Sequence, residues 1–217
     1  MNNEVKESKG LSIIKDAAVL FIITLIAGFA LGLVYEITAP VIAKQNLQAK
    51  MNAYQAVYPE AVNFSEDAAL SEKMKEAPAL LQSKGYENIS IDEVLVASDQ
   101  SGNPIGHVVV VTTGEGYGGD ITVSVGYSDS GTVKGIEILS MNETAGLGAK
   151  AQNKEFKEQF AEKNVTEFTY TKSGAKAENE IDALSGATIT TRAVVNAVNA
   201  GLYFLNNLAA ENVQGGE

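Results

Sequence analysis

A chain of 217 residues, 45% of them apolar, has material for one domain of ordinary size and a remainder. Its 16 Lys and Arg stand against 27 Asp and Glu, and the resulting formal net charge of −11 repels phosphate backbones and argues against nucleic acid as a partner. There is no Cys, which excludes disulfides, thiolate zinc sites, iron–sulfur clusters and cysteine nucleophiles together, and a single His with no Trp narrows the chemistry further.

Residues 1–16 read as a short cytoplasmic tail, and from Ala17 to Tyr35 the run "AAVLFIITLIAGFALGLVY" carries no charge. As a helix it is about 28 Å long, close to the hydrocarbon thickness of a bilayer, so 17–35 is expected to be a transmembrane helix. A cleaved leader, the competing reading, would have a shorter apolar region followed by a small-x-small site, and a buried core helix is the remaining alternative. Lys6, Lys9 and Lys15 before the span against Lys44 and Lys50 after it favour, by a narrow margin, an inside N-terminus and an extracytoplasmic remainder. Residues 36–88 read as a helical stand-off with Pro40 just past the interface, followed from 63 to 88 by a polar helix and loop.

The period changes at Ile91. "IDEVLVASD", "PIGHVVVVTTG", "DITVSVGYS" and "TVKGIEILS" are rich in Val, Ile and Thr and are separated by Gly, Asn and Pro turns, which predicts consecutive antiparallel strands. "NKEFKEQFAEK" reads as a helix and "TEFTYTK" as a short strand. Val194, Val198, Leu202 and Leu205 mark a closing amphipathic helix. The fold class is therefore α+β, an antiparallel sheet flanked by helices, occupying 89–217 after an N-terminal transmembrane helix.

Chemistry concentrates in three loops. "DALSGATITTR", Asp182 to Arg192, places hydroxyls and a glycine just before the closing helix, where Thr190 or Thr191 can cap the helix and the free N–H groups of the first turn suit a phosphate. "GEGYGGDI", Gly114 to Ile121, lets the backbone approach a flat ligand or forms a loose hairpin; "ETAGLGAK", Glu143 to Lys150, presents Leu147 between two glycines. A Ser or Thr hydrolase would need a nearby base, and His107 lies in a strand among valines, where a His is ordinarily structural. Lys150 reads as a solvated cation, and Glu115 and Asp120 as turn residues instead of metal ligands.

Taken in order, "GYGGDI", "GIEILSMNETAGLG" and "DALSGAT" resemble the FMN-binding domain of the G subunit of the Rnf ion-translocating ferredoxin:NAD oxidoreductase and of the C subunit of the sodium-translocating NADH:quinone reductase. Asp182 to Thr188 is similar to the signature D-x-x-S/T-G-A-T, on which a flavin transferase cuts FAD and leaves FMN esterified to the last Thr. The resemblance implies covalent FMN on Thr188, with Ser185, Gly186 and Ala187 shaping the turn and Asp182 as the acidic residue of the motif. It also implies a flavin-associated loop at Glu143, Thr144, Gly146, Leu147 and Gly148, and a second glycine loop at Tyr117, Gly118 and Gly119. Ala145 stands where the family usually has Pro. The implied protein is a membrane-anchored redox subunit with no active site of its own, whose partners are the membrane, the other subunits of a redox complex and, in maturation, the transferase. A quinone-reductase C subunit, or an anchored assembly module without flavin, are the alternatives.

Overall fold

The computed structural model describes the backbone of residues 2–214 and the side chains of 13–208. The tail residues Lys6 and Lys9, on which the charge-based orientation rests, have side chains outside that range. The chain divides into two compact units, 1–48 and 49–217.

Helix α1, Asn2–Val57, supplies the first unit and runs into the second. Among the described residues it is the one helix long and apolar enough to cross a membrane. Phe21, Ile26, Phe29 and Leu31 are all exposed on it, a surface suited to lipid. The hydroxyls of Thr24 and Thr38 bond back to the carbonyls of Leu20 and Val34, which satisfies them without water. Pro40 lies inside the helix, which carries on beyond it to Val57.

The second unit is built on a five-stranded antiparallel sheet in the order β1-β2-β3-β4-β5: Asn63–Glu66, Ile89–Ser98, Pro104–Thr113, Ile121–Ser128 and Val133–Met141. Four of these strands follow the sequence reading. The fifth, β1, corrects it: "NFSE", expected within a polar helix and loop, pairs along the edge of β2 from Asn63↔Ser98 to Glu66↔Leu95. The short helices α2, Ala68–Met74, and α3, Ala77–Ser83, follow, and the Asp67 carboxylate caps α2 by accepting from the N–H groups of Ala69 and Leu70. Between β2 and β3, Asp99 Oδ1 accepts from the N–H groups of Ser101 and Asn103 and closes the turn.

Both faces of the central strands are covered, which explains the unbroken valine run of β3. Val109 and Val111 point toward helix α5, Thr188–Gln214, whose Val194, Val198, Leu202 and Leu205 complete the larger core. Phe156, Phe160 and Phe168 extend that core edge to face, with centroids 5.7 and 5.0 Å apart. Val108 and Val110 face the other way, onto Tyr54 and Val57 from the end of α1 and Tyr58 just beyond it. Gly126 makes that seat possible, because a Cβ there would stand 2.2 Å from the Val57 carbonyl oxygen. The helix expected at "NKEFKEQFAEK" is a single turn, α4 (Lys154–Lys157), continued as a 3₁₀ turn to Phe160. The short strand expected at "TEFTYTK" is β6, Thr169–Thr171, which pairs in parallel with β7, Glu180–Asp182.

Candidate functional site

From β7 the chain enters α5 through a tight turn. Ala187 N–H donates to the Leu184 carbonyl at 2.9 Å, and Gly186 at φ +75° occupies the left-handed region that other residues avoid. Thr191 locks the turn: its hydroxyl accepts from Leu184 N–H and donates to the Ala187 carbonyl, both at 3.0 Å. Since the helix begins at Thr188, neither Thr190 nor Thr191 is its N-cap; both lie within its first turn. The turn delivers the chain straight into helical geometry: Thr191 N–H closes the first bond to the Ala187 carbonyl at 3.0 Å, and the N–H groups of Thr188, Ile189 and Thr190 ahead of it have no intrahelical acceptor.

Glu143, at the end of β5, gathers the other two loops. One carboxylate oxygen accepts from Gly118 N–H at 3.1 Å, and the other from the Thr190 hydroxyl at 3.0 Å. Two glycines make this packing possible. A Cβ on Gly148 would lie 2.4 Å from Glu143 Oε2 and 2.5 Å from Thr190 Oγ1, and one on Gly118 would lie 1.9 Å from the Asn142 carbonyl oxygen.

The three segments enclose an open cavity of about 620 Å³, within the range of small-molecule sites. Of the residues singled out in the sequence, Tyr117, Glu143, Thr144, Leu147, Gly148, Gly186, Ala187 and Thr188 line it. Gly118 stands behind Glu143, while Gly119 and Gly146 turn their loops at φ +111° and +78°. Ser185 is exposed and off the lining, and so is Asp182, whose carboxylate accepts from Ala175 N–H and whose own N–H donates to Gln159. Ile189 and Thr190 also line the cavity, although the sequence pattern does not mark them for it. A signal for Ile189 exists, since it is a large apolar residue on the opposite side of α5 from the Val194–Val198 stripe.

Around the mouth, Tyr117, Leu147 and Ile189 are 72%, 44% and 45% exposed. These are large apolar groups held in water beside a helix N-terminus, an arrangement suited to a flat ring carrying an anionic tail. The hydroxyls of 185–191 are not equivalent. Those of Thr190 and Thr191 are engaged, Ser185 lies off the lining, and Thr188 alone both lines the cavity and has a hydroxyl without a hydrogen-bond partner among the described residues.

The remaining candidates lie elsewhere. His107 on β3 has Nδ1 3.6 Å from Asp129 Oδ1; burial pushes its imidazole below the ordinary 6.5, with the Asp129 carboxylate opposing. Glu115 accepts from the Asn196 side chain at 2.7 Å, and Asp120 and Lys150 are exposed.

Residues 116–203, which contain the whole cavity, match the family model of the FMN-binding domain, and residues 1–57 match that of the RnfG N-terminal region. The G subunit of the Na(+)-translocating ferredoxin:NAD(+) oxidoreductase complex of Acetobacterium woodii is 34% identical over 91% of this chain and 93% of that relative. The G subunit of the proton-translocating ferredoxin:NAD(+) oxidoreductase complex of Clostridium ljungdahlii is 31% identical over 85% and 90%. Among solved structures, NqrC of Shewanella oneidensis covers 72% of this chain and 88% of its own at 20% identity, with a TM-score of 0.47.

Proposed function

Because the chain belongs to the family of G subunits of ion-translocating ferredoxin:NAD(+) oxidoreductase complexes, we propose that it is the electron-transfer subunit whose FMN is joined to Thr188 by a phosphoester, in a domain on the outer side of the membrane. The observation that carries the attachment is the singular state of Thr188, which lines the cavity and whose hydroxyl has no hydrogen-bond partner among the described residues, while those of Thr190 and Thr191 are engaged.

The residues present fit the group. The first-turn N–H groups of α5 offer donors to one phosphate, and the helix dipole favours its negative charge without any cluster of Lys or Arg. Leu147, Ile189 and Tyr117 give a flat ring apolar surface while leaving an edge in water, as exchange with a neighbouring redox centre requires. FMN, once held there, supplies one- and two-electron transfer. In maturation Thr188 Oγ1 forms the bond to the flavin-side phosphorus of FAD, the diphosphate bond breaks, AMP departs, and the hydroxyl proton is lost to the transferase or solvent.

The ester matters because a cofactor held only by equilibrium drains away where no free pool surrounds it. That reasoning accords with an outer location, as do Lys6, Lys9 and Lys15 on the side of the span opposite the domain. Within the chain we assign 1–16 to the inner tail, 17–35 to the span, 36–88 to the stand-off and polar segment, and 89–217 to flavin binding; 49–88 also packs into the sheet unit.

The test uses full-length protein produced together with the transferase. The tryptic peptide containing Thr188 is expected to carry the flavin ester and to fluoresce after denaturation. Thr188→Ala should abolish this and Ser185→Ala should not. Flavin that stays bound through denaturation in Thr188→Ala refutes the assignment.

A further inference from the structure

The walls of the cavity come from three stretches far apart in the chain, and one side chain grips two of them from the third. We propose that Glu143 is the positioning residue of the flavin seat: its side-chain carboxyl group ties the 116–119 loop to the first turn of α5 and so keeps the cavity in a shape that admits a flavin. The occupant rests on the reading of this cavity as the FMN site, but the tie itself does not.

Both oxygens of Glu143 face donors, Gly118 N–H at 3.1 Å and the Thr190 hydroxyl at 3.0 Å. The alternatives are closed. Thr190 is 1% exposed, and Glu143 is the partner of its hydroxyl. Glu115, a second carboxylate on these loops, is held by Asn196. Gly148 lacks a side chain at the one place where a Cβ would displace both the Glu143 oxygen and the Thr190 hydroxyl. The neighbouring segments are thus cut to fit this one side chain.

Variants separate the tie from general stability. Glu143→Ala removes both bonds. Glu143→Gln has the same length, can accept from Gly118 N–H, and can donate to the Thr190 oxygen, so it should restore the shape. Glu143→Asp is one methylene short of spanning both donors and substitutes for the alanine variant if that one fails to fold. The first measurement is hydrogen exchange in full-length protein in detergent, made without the transferase. Gly118 N–H is expected to exchange about 10- to 100-fold faster in Glu143→Ala, with Glu143→Gln close to the parent and the amides of Val109 and Val125 unchanged. In the second, with transferase present, the fraction of Thr188 peptide carrying flavin should fall at least tenfold in Glu143→Ala and recover in Glu143→Gln. Unchanged exchange at Gly118, or acceleration that spreads equally to the sheet, overturns the proposal. A bare Thr188 in the parent protein sinks the flavin assignment instead, and the exchange arm, which contains no flavin, still decides the tie.

Discussion

Gly148→Ala is the sharpest probe of how the site is packed. The added methyl would stand 2.4 Å from Glu143 Oε2, 2.5 Å from Thr190 Oγ1 and 3.0 Å from Glu143 Cβ. Both close contacts are the ends of side chains, so the backbone need not move; each oxygen must retreat by roughly half an ångström or more, and the bond between them cannot survive that. Losing a charge-assisted bond whose hydroxyl partner is buried costs about 1.5–3 kcal/mol. Glycine at this position needs no positive φ, since it opens a 3₁₀ turn, so the cost is steric and electrostatic and not conformational. The mechanism predicts strong coupling. In a Glu143→Ala, Thr190→Ala background the two offending oxygens are gone, only the contact with Cβ remains, and Gly148→Ala should then cost about 0.5–1 kcal/mol. Urea unfolding of full-length protein in detergent, followed by tyrosine fluorescence in a chain without Trp, measures all four corners of the cycle. Gly146→Ala is the contrast: that residue has open space around it but sits at φ +78°, so its cost of about 1 kcal/mol should be the same in both backgrounds. Additivity within about 0.5 kcal/mol for Gly148 would refute the reasoning.

Gly126→Ala should destabilise the sheet unit by about 2–3 kcal/mol, because its Cβ meets the Val57 backbone at 2.2 Å and neither strand nor helix can yield cheaply; a change under about 0.5 kcal/mol in urea contradicts the packing. His107 is the sole histidine, so its ring proton titrates alone in an NMR spectrum, and the midpoint should lie below 6.5; a value at or above 6.5 is the contrary result. The sign for stability follows. The unfolded chain binds the proton more readily, so stability is complete above 6.5 and declines as pH falls toward the folded midpoint, a decline that His107→Gln removes.

Much of this architecture is legible in the sequence, for identifiable reasons. A chargeless run such as Ala17–Tyr35 has few uses other than lipid, and the runs of β2 to β5 are bounded by turns whose residues accept few other conformations. Strand β1 escapes because Asn63, Phe64, Ser65 and Glu66 lie on an edge and bury little, so no alternation records their pairing. The expected capping by Thr190 or Thr191 fails because propensity locates a helix start only to within a few residues, while the hydroxyls are already committed to Glu143 and to the turn itself. The three loops can be singled out one by one. Their convergence depends on contacts bridging 25 and 47 positions, to which local pattern is blind, and only the resemblance to a family groups them. That Glu143 grips two of the three is visible in neither.

Those long spans also make the pocket conditional on the rest of the fold. Contacts that close loops of 25 and 47 residues rest on the β4–β5 hairpin and on α5 packed beside it, so the pocket depends on the completed fold. On the reading proposed for Thr188, a modifying enzyme that needs the finished turn would pass over nascent or misfolded chains. Colour in the protein then doubles as a certificate of correct folding.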